Sequence, residues 1–173
     1  YRTKDTSALK GDELTFYNNL KQALDNAYKY KEQWYQEKEI HDWIVLNVSY
    51  DHDNYVKWTI PDISYSAEGV FINKKAVCDG YSKAFMLCMD ILGIENKRVI
   101  GRVPTGEETS ELHAWNMVKL EGEWYQIDCT FDDPVTSDGR DTGELHYNYF
   151  NVTDTMMQRN HTYTVTTPKK KKK

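Results

Sequence analysis

Two strand-like runs, Leu112 to Leu120 and Glu123 to Thr130, flank the dipeptide Glu121-Gly122, and that combination specifies a β-hairpin. With an even loop, Leu120 opposes Glu123, Trp115 opposes Asp128 and His113 opposes Thr130. Period-two alternation then places His113, Trp115 and Asp128 on one face, with His113 diagonal to Asp128. Diagonal neighbours have Cα atoms about 7–8 Å apart, a gap that an imidazole and a carboxylate can close. An odd loop or a bulge would send Asp128 to the opposite face, so a His113–Asp128 partnership predicts the register.

A third group lies upstream. Ala76 to Leu92 reads as a helix, with Phe85, Cys88, Met89 and Leu92 along one side and Gly93 where a C-terminal cap belongs. Cys78 then sits at the helix start, where unpaired backbone N–H groups and the positive dipole end stabilise a thiolate. The segments Val77-Cys78-Asp79-Gly80-Tyr81-Ser82, His113-Ala114-Trp115-Asn116 and Trp124-Tyr125-Gln126-Ile127-Asp128-Cys129-Thr130 thus supply a thiol, an imidazole and a carboxylate. A thiol nucleophile needs a base to ionise it, and the base needs a third group to fix its tautomer.

The remaining candidates read differently. Three cysteines exclude a pure disulfide framework, and the lack of any Cys-x-x-Cys pair argues against structural zinc. Cys88 lies on the apolar side of its helix, and Cys129 alternates away from Asp128, so both are structural thiols. His41, His52 and His146 lie in aromatic or polar surroundings suited to surface or hydrogen-bonding roles, and His161 lies in a polar tail without an evident partner. Asp128 stands between Ile127 and Cys129 in a strand built for burial, where a carboxylate is costly unless paired. Asp132 and Asp133 read as solvated turn residues. With Asp138 and Asp141 they form an oxygen-rich stretch, but its spacing fits no EF-hand loop. Neither a metal nor a cofactor is expected.

Elsewhere, apolar residues at Leu14, Tyr17, Leu20, Leu24, Ala27, Tyr30 and Trp34 keep helical spacing, with Asp12 as N-cap, and Ile40, Trp43, Ile44 and Leu46 mark a second helical stretch. Tyr50 to Gly69 reads as a long irregular connection. Lys97 to Val103 is a further strand, joined to the hairpin by the flexible residues Pro104 to Ser110. A final strand is expected at His146 to Val152, and an edge at His161 to Val165.

Composition narrows the class of partner. No apolar run approaches the roughly 20 residues that cross a bilayer, and mean hydropathy is −0.78. The formal charge is −5. Five of the 22 basic residues are the run Lys169 to Lys173, which leaves 17 against 27 acidic residues in the body. Such a surface does not suit a phosphate backbone, so nucleic acid is not an expected partner. The terminal lysines are read as a disordered tail or cloning remnant. An acidic, tyrosine-rich chain opening on Tyr1 suggests a domain of a larger exported protein, extracellular or at the cell surface.

Cys-Asp-Gly-Tyr at a helix start, His-Ala-Trp-Asn on a strand and Trp-Tyr-x-x-Asp-x-Thr on the next resemble the transglutaminase-like superfamily in its bacterial branch. The resemblance runs from about Ile40 to His161. It takes in Ile40-His41-Asp42-Trp43, Tyr50-Asp51 and Tyr149-Phe150-Asn151-Val152-Thr153. It implies an α+β, papain-like core in which the thiol helix packs on an antiparallel sheet carrying His and Asp. By position Cys78 would be the nucleophile, His113 the base and acid, and Asp128 the orienting carboxylate. The oxyanion hole would use the Cys78 backbone N–H and a second donor, for which Tyr50 is the candidate, with Trp115 in support. Two departures, Cys129 where relatives often have Pro and Phe131 where they often have Trp, bear on substrate fit and packing. The implied organisation is an N-terminal helical segment over residues 1–39, a catalytic core over 40–167 and a tail over 168–173. The expected function is thiol-dependent acyl transfer on protein or peptide amides, ending in hydrolysis or in amine transfer. The competing class is a binding module that retains the fold without the chemistry. A metal hydrolase has no supporting His/Asp/Glu spacing.

Overall fold

The computed structural model describes residues 5–164; the lysine run and Val165 lie outside them. Helix α1 (Asp12–Ala27) buries Tyr17, Leu20, Leu24 and Ala27 of the stripe read from the sequence, adds Ala23, and leaves Leu14 half-buried. Gly11 occupies the N-cap position and Asp12 opens the first turn, where its carboxylate still complements the dipole. The expected single period to Trp34 is broken at Tyr28. There the backbone N–H groups of Tyr28, Lys29 and Tyr30 turn back onto Leu24, Asn26 and Ala27 carbonyls. Trp34 falls in helix α2 (Gln33–Asn47) and is partly exposed.

Helix α2 runs unbroken through position 40 and buries Ile40, Trp43, Ile44 and Val45. Leu20 and Leu24 of α1, Ile40 and Ile44 of α2, and Phe85, Cys88 and Met89 further along the chain belong to one buried cluster. Phe71 is fully buried where Phe16 meets it edge-on at 5.2 Å and Trp43 stacks at 5.5 Å. Truncating a phenyl ring in such a place costs about 3–5 kcal/mol.

The stretch from Tyr50 to Gly69 is more ordered than its composition suggested. Strand β1 (Ser49–Tyr50) pairs in parallel with β2 (Lys75–Ala76). Between them lie helix α3 (His52–Lys57), a 3-10 turn at Asp62–Tyr65 and a π turn at Gly69–Asn73. Asp51 organises the region. Its buried carboxylate accepts hydrogen bonds from Asn54 Nδ2 at 2.9 Å and Ser64 Oγ at 2.8 Å. A polar sequence can thus be ordered when one buried acid satisfies several local donors.

Helix α4 (Cys78–Leu92) ends at Gly93 in the left-handed conformation. It packs on the antiparallel sheet β3-β4-β5, formed by Asn96–Pro104, Ser110–Leu120 and Glu123–Ile127. The hairpin pairs Leu120 with Glu123 and continues to Asn116 with Ile127, the even register expected. No strand forms over 146–152; only Val152 bridges to Gln126, and Thr162 bridges to Arg102 at the other edge. The Tyr147–Phe150 region instead packs its rings against His41. Helix α5 (Asp154–Met157) closes the described chain, capped by the Thr153 hydroxyl.

Candidate active site

Cys78 is the first residue of α4, and the N-cap residue Val77 is extended and offers no side-chain cap. The first-turn N–H groups therefore remain available near the thiol. Two close packings set this helix start. Val77 N–H donates to the Ser64 carbonyl at 3.0 Å. At Gly80 a Cβ would stand 2.6 Å from the same carbonyl oxygen and 2.7 Å from Ala76 Cβ. Glycine two residues after the thiol is thus a condition for the 3-10 turn to press against the helix.

Other motif residues bind α4 to the sheet. Asn116 Nδ2 donates to the Ser82 carbonyl at 3.0 Å, so the last residue of His-Ala-Trp-Asn ties the histidine strand to the cysteine helix. Arg98 on β3 donates through Nε to Ser82 Oγ at 2.9 Å and through Nη2 to Asp79 Oδ1. Tyr81 is buried, its hydroxyl donating to Asp133 Oδ2 at 2.6 Å.

His113 is buried on β4, and its Nε2 lies 2.6 Å from Asp128 Oδ2. Cys78 lines the same cleft and is near enough to act on the imidazole. Burial alone would depress the imidazole, but the Asp128 charge and hydrogen bond, together with Cys78, outweigh it and raise His113 to about 10. Burial pushes Asp128 the other way, yet the charges and hydrogen bonds of His113 and His161 lower it to about 2. A buried imidazole held by a carboxylate can serve as base and acid beside a thiol.

Trp115 supports this pair. Its indole stacks on His113 with centroids 5.8 Å apart and planes at 23°, and its Nε1 donates to Gln126 Oε1 at 2.7 Å. Gly101, opposite His113, makes room for the indole: a Cβ there would lie 2.5 Å from it and 2.4 Å from the Thr162 carbonyl oxygen. Tyr50 is half-buried on β1 and lines the cavities on either side of His113. Burial, then the nearby Cys78, pushes its phenol up, so it stays protonated and able to donate.

His161 corrects the sequence reading. It is fully buried, its Nε2 lies 2.8 Å from the same Asp128 Oδ2, and its Nδ1 lies 2.7 Å from Asn160 Oδ1. The bridge between Arg102 and Thr162 delivers it there, a pairing distant in sequence that no local pattern announces. Donor atoms of His113, Asp128 and His161 lie within 4.8 Å of one another. Ligands around a tetrahedral ion at about 2.0–2.2 Å stand roughly 3.3–3.5 Å apart. The two N···O separations of 2.6 and 2.8 Å are hydrogen bonds to one oxygen instead.

Asp132 and Asp133 are a second correction, for both are buried rather than solvated. The turn folds back as Asp132 N–H donates to the Asp128 carbonyl at 3.1 Å. Asp132 Oδ2 then meets His41 Nε2 at 2.8 Å, while Asp133 receives Tyr81. Burial raises Asp133 to about 8 against the Tyr81 hydrogen bond. Asp141 accepts from Ser49 Oγ at 2.9 Å and Asp138 pairs with Arg140, so the oxygen-rich stretch disperses over separate partners. Cys88 and Cys129 are buried and free, and burial pushes both thiols up.

Cys78 and His113 line a cleft of about 360 Å³, and His113 lines a second of about 410 Å³ toward Phe131 and Tyr149. A larger cavity of about 630 Å³ lies between α1 and residues 63–72, away from these groups.

Three solved structures share the fold. A TGase superposes with a TM-score of 0.58 at 17% identity over 82% of this chain and 38% of its own. A candidate cysteine protease from Cytophaga hutchinsonii gives 0.51 at 20%, over 71% and 43%. The arylamine N-acetyltransferase NAT3 of Bacillus cereus, described with a Cys-His-Glu catalytic triad, gives 0.51 at 17%, over 67% and 49%. The chain therefore spans less than half of each. No curated protein matches. Residues 18–129 match the transglutaminase-like family, and with the thiol helix packed on its antiparallel sheet the chain belongs to the transglutaminase-like superfamily.

Proposed function

We propose that this protein carries out thiol-dependent acyl transfer on peptide or protein amides, with Cys78 as nucleophile, His113 as base and acid, and Asp128 as the group that orients His113. The observation that carries the reading is the His113 ring, held by Asp128 Oδ2 at 2.6 Å in the cleft that Cys78 also lines. Membership of a superfamily of cysteine-nucleophile enzymes supports it.

In this reading the Cys78 thiolate attacks the carbonyl carbon, and the carbonyl π electrons move onto oxygen. The Cys78 backbone N–H and the Tyr50 hydroxyl donate to that oxyanion. When the tetrahedral species collapses, the C–N bond breaks and His113 gives its proton to the departing nitrogen. A thioester remains. Water or an amine then attacks it, His113 takes the proton of that nucleophile, and the thiolate leaves. Access of water to the thioester decides between hydrolysis and amine transfer.

The test is alkylation with iodoacetamide from pH 4 to 9, followed by mass spectrometry on the parent, Cys78→Ala and His113→Ala. Modification is expected at Cys78 in preference to the buried Cys88 and Cys129, with a rate that persists below pH 7. Loss of His113 should slow it by about a hundredfold at acidic pH. A rate that rises with pH like that of a free thiol, with or without His113, refutes the catalytic reading. A binding module on the same fold would then be the better account.

A further inference from the structure

Trp58 combines two unfavourable features. It is 95% exposed, and it ends α3 in the left-handed conformation with φ 58°. Left-handed helix ends favour glycine, which lacks the Cβ that clashes there. Glycine would remove both the strain and the exposed indole. Strain of this kind collects where the surrounding structure holds a residue for use.

Its surroundings indicate the use. Trp58, Tyr55 and Tyr65 line the cleft that holds Cys78, and Leu112, 66% exposed, faces it from β4. The surface is held firmly. Asp51 ties α3 to the 3-10 turn through Asn54 and Ser64, and its N–H donates to Ala76, two residues before the thiol. Thr59 adds backbone and hydroxyl bonds to Asn54 at 2.9 Å each. Two carboxylates stand on this side of the cleft: Asp79, which is paired with Arg98, and Glu111, which accepts a 2.6 Å hydrogen bond from the Tyr55 hydroxyl.

We infer that Trp58, Tyr55, Tyr65 and Leu112 form a subsite for a large apolar, preferably aromatic, side chain of a cationic peptide, with Glu111 selecting a neighbouring Lys or Arg. This rests on the acyl-transfer reading for its position beside the reacting carbonyl. The apolar body of the side chain lies against the indole and Leu112, and the cation offsets the Glu111 carboxylate that lines the cleft. The arrangement is pre-organised, so little ordering opposes binding.

The experiment measures equilibrium binding to the Cys78→Ala protein by fluorescence polarisation, so it does not depend on turnover. The probes are fluorescein-labelled hexapeptides with Phe or Gly beside a central Gln, and Lys or Glu one residue further. Phe is expected to bind about tenfold more tightly than Gly. Trp58→Gly should erase that difference while the melting temperature holds or rises, since glycine suits the backbone. Glu111→Gln should erase the preference for Lys over Glu. Equal binding of the Phe and Gly peptides, or a preference that survives Trp58→Gly, overturns the subsite. A Lys preference that survives Glu111→Gln overturns the role given to the carboxylate. Absence of Cys78 alkylation in the parent would defeat the acyl-transfer reading while this binding result stands by itself.

Discussion

One turn of chain, Asp128 to Asp133, serves two buried histidine–carboxylate networks of opposite character. In the first, Asp128 Oδ2 receives both His113 and His161, and the His113 ring still reaches Cys78. In the second, both ring nitrogens of His41 are occupied, Nε2 by Asp132 at 2.8 Å and Nδ1 by Asp42 at 2.9 Å. Both are buried ion pairs of like chemistry. Only the first leaves a ring nitrogen toward a thiol, so a carboxylate partner alone does not make a histidine reactive. The second network links α2 to the turn that carries Asp128, and its work is mechanical.

The sharpest way to break this comparison is to remove each histidine in turn. His41→Ala leaves Asp132 and Asp42 without the ring that bridges them. Breaking a buried pair from one side costs about 3–5 kcal/mol, to be read from urea melts, with Cys78 alkylation surviving in whatever fraction remains folded. His113→Ala should lose that alkylation at acidic pH with a smaller cost in stability. Equal losses of reactivity in the two variants would erase the distinction.

A smaller effect is expected at His161. His161→Phe retains an aromatic ring against Trp115 and Phe131 but removes one donor to Asp128. Since His161 helps hold Asp128 at about 2, its loss should move the acid limb of Cys78 alkylation to higher pH and slow the reaction by about three- to tenfold. His161→Gln, which can restore an N–H donor, should recover much of it. An unmoved acid limb would assign His161 to packing alone.

The smallest effect belongs to Glu37, beside the second network. Burial raises it to about 8 from 4.5, despite the Asn151 hydrogen bond and the His41 charge. A raised acid means that the folded state binds the extra proton, so this group lowers stability as pH climbs from about 4.5 to 8, with no further loss above that. Among the described residues Glu37 Oε1 and Asn151 Oδ1 both lack hydrogen-bond partners, and an amide at position 37 offers a donor to the latter. Glu37→Gln should therefore gain about 1 kcal/mol at pH 8 and nothing at pH 4, checked by thermal melts at both. A gain of equal size at both pH values would show that the buried charge was not the cause.

Most of the first network was legible from local pattern, and almost none of the second was. The period-two hairpin gave the register that brings His113 and Asp128 to one face, and the helix start gave Cys78 its place. Asp132, Asp133 and His161 were misread because their composition is that of turns and tails, and composition reports only what short-range chemistry prefers. Helix α3 was missed for the same reason, its order coming from Asp51 rather than from an apolar stripe. The final strand expected over 146–152 did not form; Tyr147 and Phe150 set their rings against His41 instead.

By itself, then, the sequence determined the helix, the hairpin and the three candidate groups they carry, since spacing of 3.6 and of 2 residues is enforced by backbone geometry at short range. Only the tertiary structure decided which further polar groups are buried and with whom: His161 on Asp128, His41 between two carboxylates, Trp58 held out beside the thiol. His161 and Asp128 stand 33 positions apart and His41 and Asp132 stand 91 apart, while Trp58 rests on a backbone conformation set by its neighbours. Burying a polar group is favourable only once its partner has arrived, and that arrival is a property of the assembled fold.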